Sequence, residues 1–459
     1  MEKKIIAQLE KIAGKDGVLS SPEDLAVYGY DGTFEDQRPD IVVLPSSTGQ
    51  VSQVVELASR ENLPLVARGL GSGLAAASVP FHGRITLAMT RMNHLLEIDE
   101  VNATAQVEAG IVTADLQTAV EKRGLFYPPD PSSIRHSSIG GNIACNAGGP
   151  RCLKYGVTGN YVLGLTVVLA DGRVLHTGNK CIKDVVGYDL NALFTGSEGT
   201  LGVITEALLR LTARPKFART ALVEFPLLED ASRTVNAILR HGLVPAALEL
   251  MDETAIGCIE QAMQLGLPLD VEAVLLVEAD GSDETAVLGE IEAIAKICMG
   301  SGARQVKVAK DETERSDLWR ARRSVAPALA RRAPYKLGED ITVPRSAIPA
   351  AVRGLKDISA KYGLPVVIYG HAGDGNLHPA ILFDKRDPAQ WEKAQLMAAE
   401  EFSLALELGG TLSGEHGVGM LKRPYMEKAL GPLSIEIQKR IKQALDPQNI
   451  LNPGKVFPE

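Results

Sequence analysis

Long hydrophobic runs are missing from this sequence. The N-terminus reads Met1-Glu2-Lys3-Lys4 and then offers only Ile5, Ile6 and Ala7 before Gln8 and Glu10, too short an apolar run for a signal-peptide core. No later stretch approaches the roughly 20 apolar residues of a membrane span. Cysteines are few and scattered, at 145, 152, 181, 258 and 298, with no iron–sulfur or zinc-finger spacing. Free thiols in a reducing cytoplasm are the expectation, and with no cluster or haem motif the chain cannot pass electrons onward by itself. Internal repeats and low-complexity tracts are also absent. Cations are outnumbered, 48 Lys and Arg against 57 Asp and Glu, for a formal net charge of −9. That balance argues against nucleic acid or an anionic membrane as the main partner, while leaving room for a local basic pocket.

What is present suits a globular enzyme. The 459 residues are 45 % hydrophobic and 23 % charged, enough for two to three domains with packed cores. Residues 41–75 read as strand, helix, strand and glycine loop: β-branched Ile41–Leu44, a cap at Ser47 or Thr48, then Val51, Val54, Val55 and Ala58 as one helical stripe. Further strands are expected at 161–170 and 202–211. After Arg214-Pro215 the texture changes to strand 221–225, helix 228–241, strand 246–251, strand 271–278, helix 284–299 and strand 305–309. Two β-α-β units in a row predict a ferredoxin-like antiparallel sheet with helices on one face, and a domain boundary near 215.

The glycines are concentrated in segments that carry Ser, Asn and Asp. Arg68-Gly69-Leu70-Gly71-Ser72-Gly73-Leu74 follows a strand directly, and alternating glycines let backbone N–H groups turn inward toward a pyrophosphate. Its G-x-G-x-G spacing is not the Rossmann pattern, so taken alone the loop is either a nucleotide site or a sharp turn. It is joined by Pro128–Ser133, Ser138–Ala144, Asn146–Gly149, Lys154–Gly156, Gly187–Leu190 and Gly196–Gly202. Such a set implies backbone packed closely around a large polar ligand.

Tyr369-Gly370-His371-Ala372-Gly373-Asp374-Gly375-Asn376-Leu377-His378 lies between two apolar runs and reads as strand, turn, strand. A hairpin sets His371 opposite His378, about 5 Å apart at Cβ, suited to two ligands on one metal. Downstream, Ser413-Gly414-Glu415-His416-Gly417 adds a carboxylate and a third imidazole, a donor set that fits Zn²⁺ or another first-row ion. The plain alternative is buried histidines satisfied by backbone carbonyls. A third cluster, Trp319-Arg320-Ala321-Arg322-Arg323 followed by Lys336, is either a solvated helix face or a clamp for an anion.

The order of these segments resembles the FAD-binding domain of the vanillyl-alcohol-oxidase superfamily, in its glycolate oxidase and D-lactate dehydrogenase branch, from about residue 38 to the C-terminus. The resemblance implies an α+β protein. A two-subdomain FAD-binding domain would occupy 1–215, and a ferredoxin-like antiparallel-sheet substrate (cap) domain 216–420, carrying the metal and base motifs. Residues 421–459 would return to the FAD domain. It assigns Arg68, Gly69, Gly71, Ser72, Gly73 and Leu74 to the pyrophosphate, and Pro129, Asp130, Ser133, Ser138, Gly140, Gly141, Asn142 and Ala144 to the flavin and ribityl chain. Glu198, Gly199, Gly202 and Ile204 would close over the adenosine part, with Asn452 also at the cofactor. The 68–74 loop holds no His or Cys, so noncovalent FAD is expected. By the same resemblance His371, His378 and Glu415 hold a divalent metal (Zn, Mn or Fe), His416 is the general base, and Arg322 with Lys336 binds the substrate carboxylate.

The implied reaction is oxidation of a D-2-hydroxy acid, with D-lactate or glycolate favoured. Relatives that oxidise 2-hydroxyglutarate carry Thr where this chain has Ala326, which weakens the case for a dicarboxylic substrate. Electrons would leave through a separate partner, an iron–sulfur subunit or an electron-transferring flavoprotein, either soluble or in a membrane-bound complex. The competing readings are an enzyme resembling alkyl-dihydroxyacetonephosphate synthase, and a catalytically silent FAD scaffold. The first lacks a recognisable phosphate pocket and lipid channel here, and the intact histidines argue against the second.

Overall fold

The computed structural model describes residues 1–81 and 85–458. The chain divides into two compact units. The first comprises Met1–Gly148, Val157–Arg214 and Glu415–Glu459, and the second Gly149–Gly156 and Pro215–Gly414. Segment 149–156, read in the sequence as part of the FAD domain, thus falls with the second unit. Glu415 and His416, read with the cap, fall with the first. No described helix is long and apolar enough to cross a membrane.

In the first unit, Val18–Leu19 (β1), Ile41–Val43 (β2), Leu65–Arg68 (β3) and Ile85–Ala88 (β4) form a sheet in the order β1-β2-β4-β3. Both β2 and β3 run parallel to β4. The connecting helix α1 (Thr48–Arg60) starts at Ser47, whose hydroxyl accepts the Gln50 N–H, one of the donors a helix start leaves unmet. Its Val51, Val54, Val55 and Ala58 are fully buried and pack with Ile41, Val43, Ile85 and Leu87. Because β3 ends at Arg68, the glycine segment issues from the carboxyl end of a parallel strand, where open α/β sheets commonly place ligands. A second sheet is antiparallel throughout: Leu95–Asp99 (β5), Thr104–Glu108 (β6), Val162–Val168 (β7), Val174–Gly178 (β8) and Val203–Arg210 (β9), ordered β5-β6-β9-β7-β8.

The second unit is built on one larger sheet. Phe217–Phe225 (β10), Ala247–Asp252 (β11), Ala273–Gly281 (β12) and Gln305–Val308 (β13) pair antiparallel in the order β13-β10-β12-β11, the ferredoxin-like arrangement that the sequence predicts. Two features go beyond that reading. A helix at Glu253–Met263 separates β11 from β12. The sheet also continues past β11 through Val366–His371 (β15) and Asn376–Phe383 (β16) to Tyr335–Gly338 (β14). Leu222, Ala247, Met251, Val274, Leu276, Val367, Ala380 and Leu382 form the core, together with Leu318 and Trp319 from helix α2 (Glu312–Arg323).

The β15–β16 connection turns through Ala372–Asp374 to Gly375 at φ +79°, a left-handed conformation costly to residues with a side chain. A Cβ there would also lie 2.1 Å from the Val343 carbonyl oxygen, which is backbone and cannot swing aside. Gly375→Ala is therefore expected to destabilise the second unit by about 1–3 kcal/mol. The check is urea denaturation followed by circular dichroism, where an unchanged midpoint would contradict this account of the turn.

Candidate active site

Most of the glycine segments of the first unit come together around one open cavity. Arg68, Gly69, Gly71, Ser72, Gly73 and Leu74 line it, as do Ser133, Ser138, Gly140, Gly141, Asn142 and Ala144, with Glu198, Gly199, Gly202 and Ile204 completing the wall. Glycine is needed here for close packing. A Cβ on Gly69 would stand 2.3 Å from Ser138 Oγ, and one on Gly140 2.6 Å from Ala109 Cβ. Gly71, at φ +70°, leaves its space to the Arg68 guanidinium, 1.9 Å from where a Cβ would sit. The short helix Ile139–Cys145 opens at Ser138, whose hydroxyl accepts the Gly141 N–H.

The C-terminal segment is bound into this wall. Glu198, buried and in a left-handed conformation (φ +52°), accepts the Val418 and Gly419 N–H groups at 2.7 Å each. Burial pushes its carboxyl upward, an effect that these two N–H groups partly offset. Asn452 donates to the Ala77 and Glu198 carbonyls, and Lys455 donates to those of Ala76 and Val79. Burial lowers Lys455 to about 8. Glu415 and His416 stand in the same cavity wall, with His416 Nε2 3.8 Å from Glu415 Oε1.

The second unit assembles a different cluster. In the β15–β16 register Tyr369 faces His378 and His371 faces Asn376. His371 and His378 are therefore diagonal neighbours on one sheet face, not the directly opposed pair expected from the sequence, because the turn closes one residue pair earlier. Diagonal neighbours still reach one another. The rings meet edge to face with centroids 5.1 Å apart, and each can offer a nitrogen within 4.8 Å of the other's. Both are buried. Asp340, fully buried, lies 3.8 Å from His378 Nδ1. Glu249 on β11, also without exposed surface, lies 2.7 and 2.9 Å from His371 Nδ1 through its two oxygens and 2.6 Å from Arg322 Nη2.

Helix geometry explains the Trp319-x-x-Arg322 spacing: residues three apart share a face. Trp319 is buried and donates its indole N–H to Glu278 at 2.6 Å, and the same face carries Arg322 inward to 4 % exposure. The guanidinium also lies over the Tyr369 ring, 5.3 Å from its centroid. Lys336 on β14 is half-buried. Burial lowers its ammonium from the ordinary lysine value, and no carboxylate among the described residues offsets that shift.

Several residues of the segments assigned to the cofactor are not among those that line the first unit's cavity. Pro129, Asp130 and Asn452 are buried and do not line it. The Pro129 carbonyl accepts from Gln117, and Asn452 braces two wall segments. Lys154 is held by Asp280 in the second unit, and Tyr188 is 95 % exposed, so neither segment lines the cavity. The sequence reading passed over Glu249. Its signal was present, since a lone carboxylate interrupts the otherwise apolar Ala247-Leu248-Glu249-Leu250-Met251.

Comparison with known proteins agrees with this arrangement. Residues 39–178 match the family described as "FAD binding domain", and residues 214–456 match "FAD linked oxidases, C-terminal domain". The chain is 46 % identical to the glycolate oxidase subunit GlcD of Bacillus subtilis, across 99 % of this chain and 97 % of that one. It is 34 % identical to a D-lactate dehydrogenase of Anaerostipes hadrus, across 95 % and 91 %. Among solved structures, p-cresol methylhydroxylase with substrate bound shares the fold at a TM-score of 0.83, with 18 % identity over 99 % of this chain and 96 % of that one. A glycine-walled cavity in one unit, a ferredoxin-like sheet in the other and relatedness along nearly the whole length lead to one conclusion: the chain belongs to the FAD-linked oxidases, with the glycolate oxidase subunits and D-lactate dehydrogenases.

Proposed function

We propose that this protein oxidises a small 2-hydroxy acid, D-lactate or glycolate, to the 2-oxo acid, using noncovalent FAD and a divalent metal and passing the electrons to a separate protein. The observation that carries the acid substrate is Arg322. Its Nε and Nη2 are buried and make no hydrogen bond to the described residues, although Nη2 lies close to Glu249 off the line of a hydrogen bond. Leaving buried donors unmet costs about 1–3 kcal/mol each, and a ligand carboxylate meets two at once. Lys336 supplies a second cation without a competing carboxylate.

The glycine backbone and the Ser and Asn side chains that line the cavity fit FAD. One thiol, Cys145, stands in the wall, and burial pushes it up to about 12. A thiol so rarely ionised is a poor nucleophile for attachment to the flavin. For the metal, His371 and His378 fit as an imidazole pair, and Glu415 completes the ligand set that we infer from the sequence pattern. FAD when bound supplies the hydride acceptor, and Zn, Mn or Fe when bound makes the substrate hydroxyl more acidic.

The remaining work belongs to the chain's own residues. Arg322 and Lys336 hold the acid by its carboxylate. His416 takes the hydroxyl proton on a ring nitrogen, a role suited to imidazole near neutral pH. Loss of that proton and of the Cα hydride removes two electrons from the substrate, and a separate acceptor must remove them in turn. That the glycolate oxidase relative is named as a subunit supports a partner protein, either an iron–sulfur subunit or an electron-transferring flavoprotein.

Acid precipitation of the yellow protein should release its flavin into the supernatant as FAD, whereas flavin retained by the pellet would contradict noncovalent binding. Arg322→Ala should lower kcat/KM for D-lactate by about 10²-fold or more with flavin content unchanged. Wild-type kinetics in that variant would remove the carboxylate clamp from the account. Burial makes Lys336 lose its proton at a lower pH than an ordinary lysine, so affinity for the acid should fall on the alkaline side earlier than an unshifted lysine allows. Lys336→Arg, which stays charged, should move that alkaline limb of the kcat/KM profile upward. An unmoved limb would show that Lys336 does not set it.

A further inference from the structure

Glu249 lies between the two chemistries of the second unit, and the strand register explains how it gets there. β11 pairs with β15 at Leu250–Gly370 and Met251–Tyr369, and continuing that register one step sets Glu249 against His371. A carboxylate with no exposed surface is strongly disfavoured unless charge and hydrogen bonds compensate it. Here Arg322 supplies the charge at 2.6 Å and His371 Nδ1 the hydrogen bond at 2.7 Å. An ionised carboxylate can only accept. Nδ1 of His371 must therefore carry the ring proton, which makes Nε2 the atom with a lone pair for a cation.

We propose that Glu249 is a positioning residue with two coupled outputs: it fixes His371 in the Nδ1–H tautomer required of a metal ligand, and it fixes the guanidinium of Arg322 for the substrate carboxylate. The inference rests on the metal and clamp reading above and adds to it that one side chain sets both. Carboxylate-to-histidine contacts behind a metal typically change metal affinity by about 10–100-fold when removed. On the Arg322 side, the carboxylate holds the guanidinium by charge and leaves its Nε edge unspent. Loss of the charge lets that fork turn, a change felt in substrate binding more than in the chemical step.

Glu249→Gln keeps the shape and removes the charge. Metal-stripped wild type and variant are titrated with Mn²⁺ by calorimetry, and kinetics with D-lactate are then measured at saturating Mn²⁺. The expected result is Mn²⁺ binding weakened about 10–100-fold, with KM raised at saturating Mn²⁺ by a larger factor than kcat falls and an unchanged flavin spectrum. Equal Mn²⁺ affinity, or an unchanged KM, in a folded variant overturns the coupling while leaving the proposed reaction standing. A wild type that binds no Mn²⁺ overturns the metal reading as well. Should the variant fail to fold, the tautomer is read in the metal-free wild type from the ring nitrogen shifts of ¹⁵N-histidine-labelled protein, with His371→Gln for assignment. An Nδ1–H tautomer supports the proposal and an Nε2–H tautomer overturns it.

Discussion

A carboxylate removed from water must be matched by positive charge and by donors, and Glu249 imposes that requirement on the second unit. Its position on β11, between neighbours that bury apolar side chains, gives it no route to solvent. The strand that pairs with β11 sets His371 Nδ1 against Glu249 at 2.7 Å, the donor that our proposal assigns. The helix packed nearby must present a cation, and α2 does so through Arg322, with Trp319 one turn earlier anchoring that face to Glu278. Side chains fixed in this way have few alternative rotamers, which is the condition for holding a small acid in one pose.

The first unit meets a different constraint, the close approach of backbone to ligand. Its wall is made of segments distant in sequence, and glycine at 69 and 140 lets neighbouring backbone pack where a Cβ would collide. That much unadorned backbone holds its shape only if tied together. Glu198, Asn452 and Lys455 are those ties, each buried and each bonded to backbone groups of another segment. The segment that supplies Asn452 and Lys455 also supplies Glu415 and His416 to the cavity wall. The proposed base is thus anchored to the same unit as the cofactor cavity.

Much of this was legible in the sequence because local signals agreed with the tertiary result. The apolar stripe of α1, the Ser47 cap and the strand alternation on either side of 215 all correspond to elements of the structure. The order of the ferredoxin-like strands followed from two β-α-β units. What escaped depended on registers and burial that no local pattern specifies. The diagonal placement of His371 and His378 is set by how the Ala372–Gly375 turn closes, a shift of one residue pair. Tyr188 belongs to a glycine-containing segment but is exposed. Glu249 was overlooked because its partners come from β15 and α2, more than 70 positions away in each case.

The central claim, that this FAD-linked oxidase draws hydride from a small D-2-hydroxy acid, is tested most directly by anaerobic titration of the flavin. Under the proposed account, D-lactate or glycolate bleaches the oxidised flavin absorbance in the absence of any acceptor, and L-lactate leaves it unchanged over the same time. A flavin that stays oxidised with every D-2-hydroxy acid in the metal-replete protein, or one reduced faster by L-lactate, would contradict it.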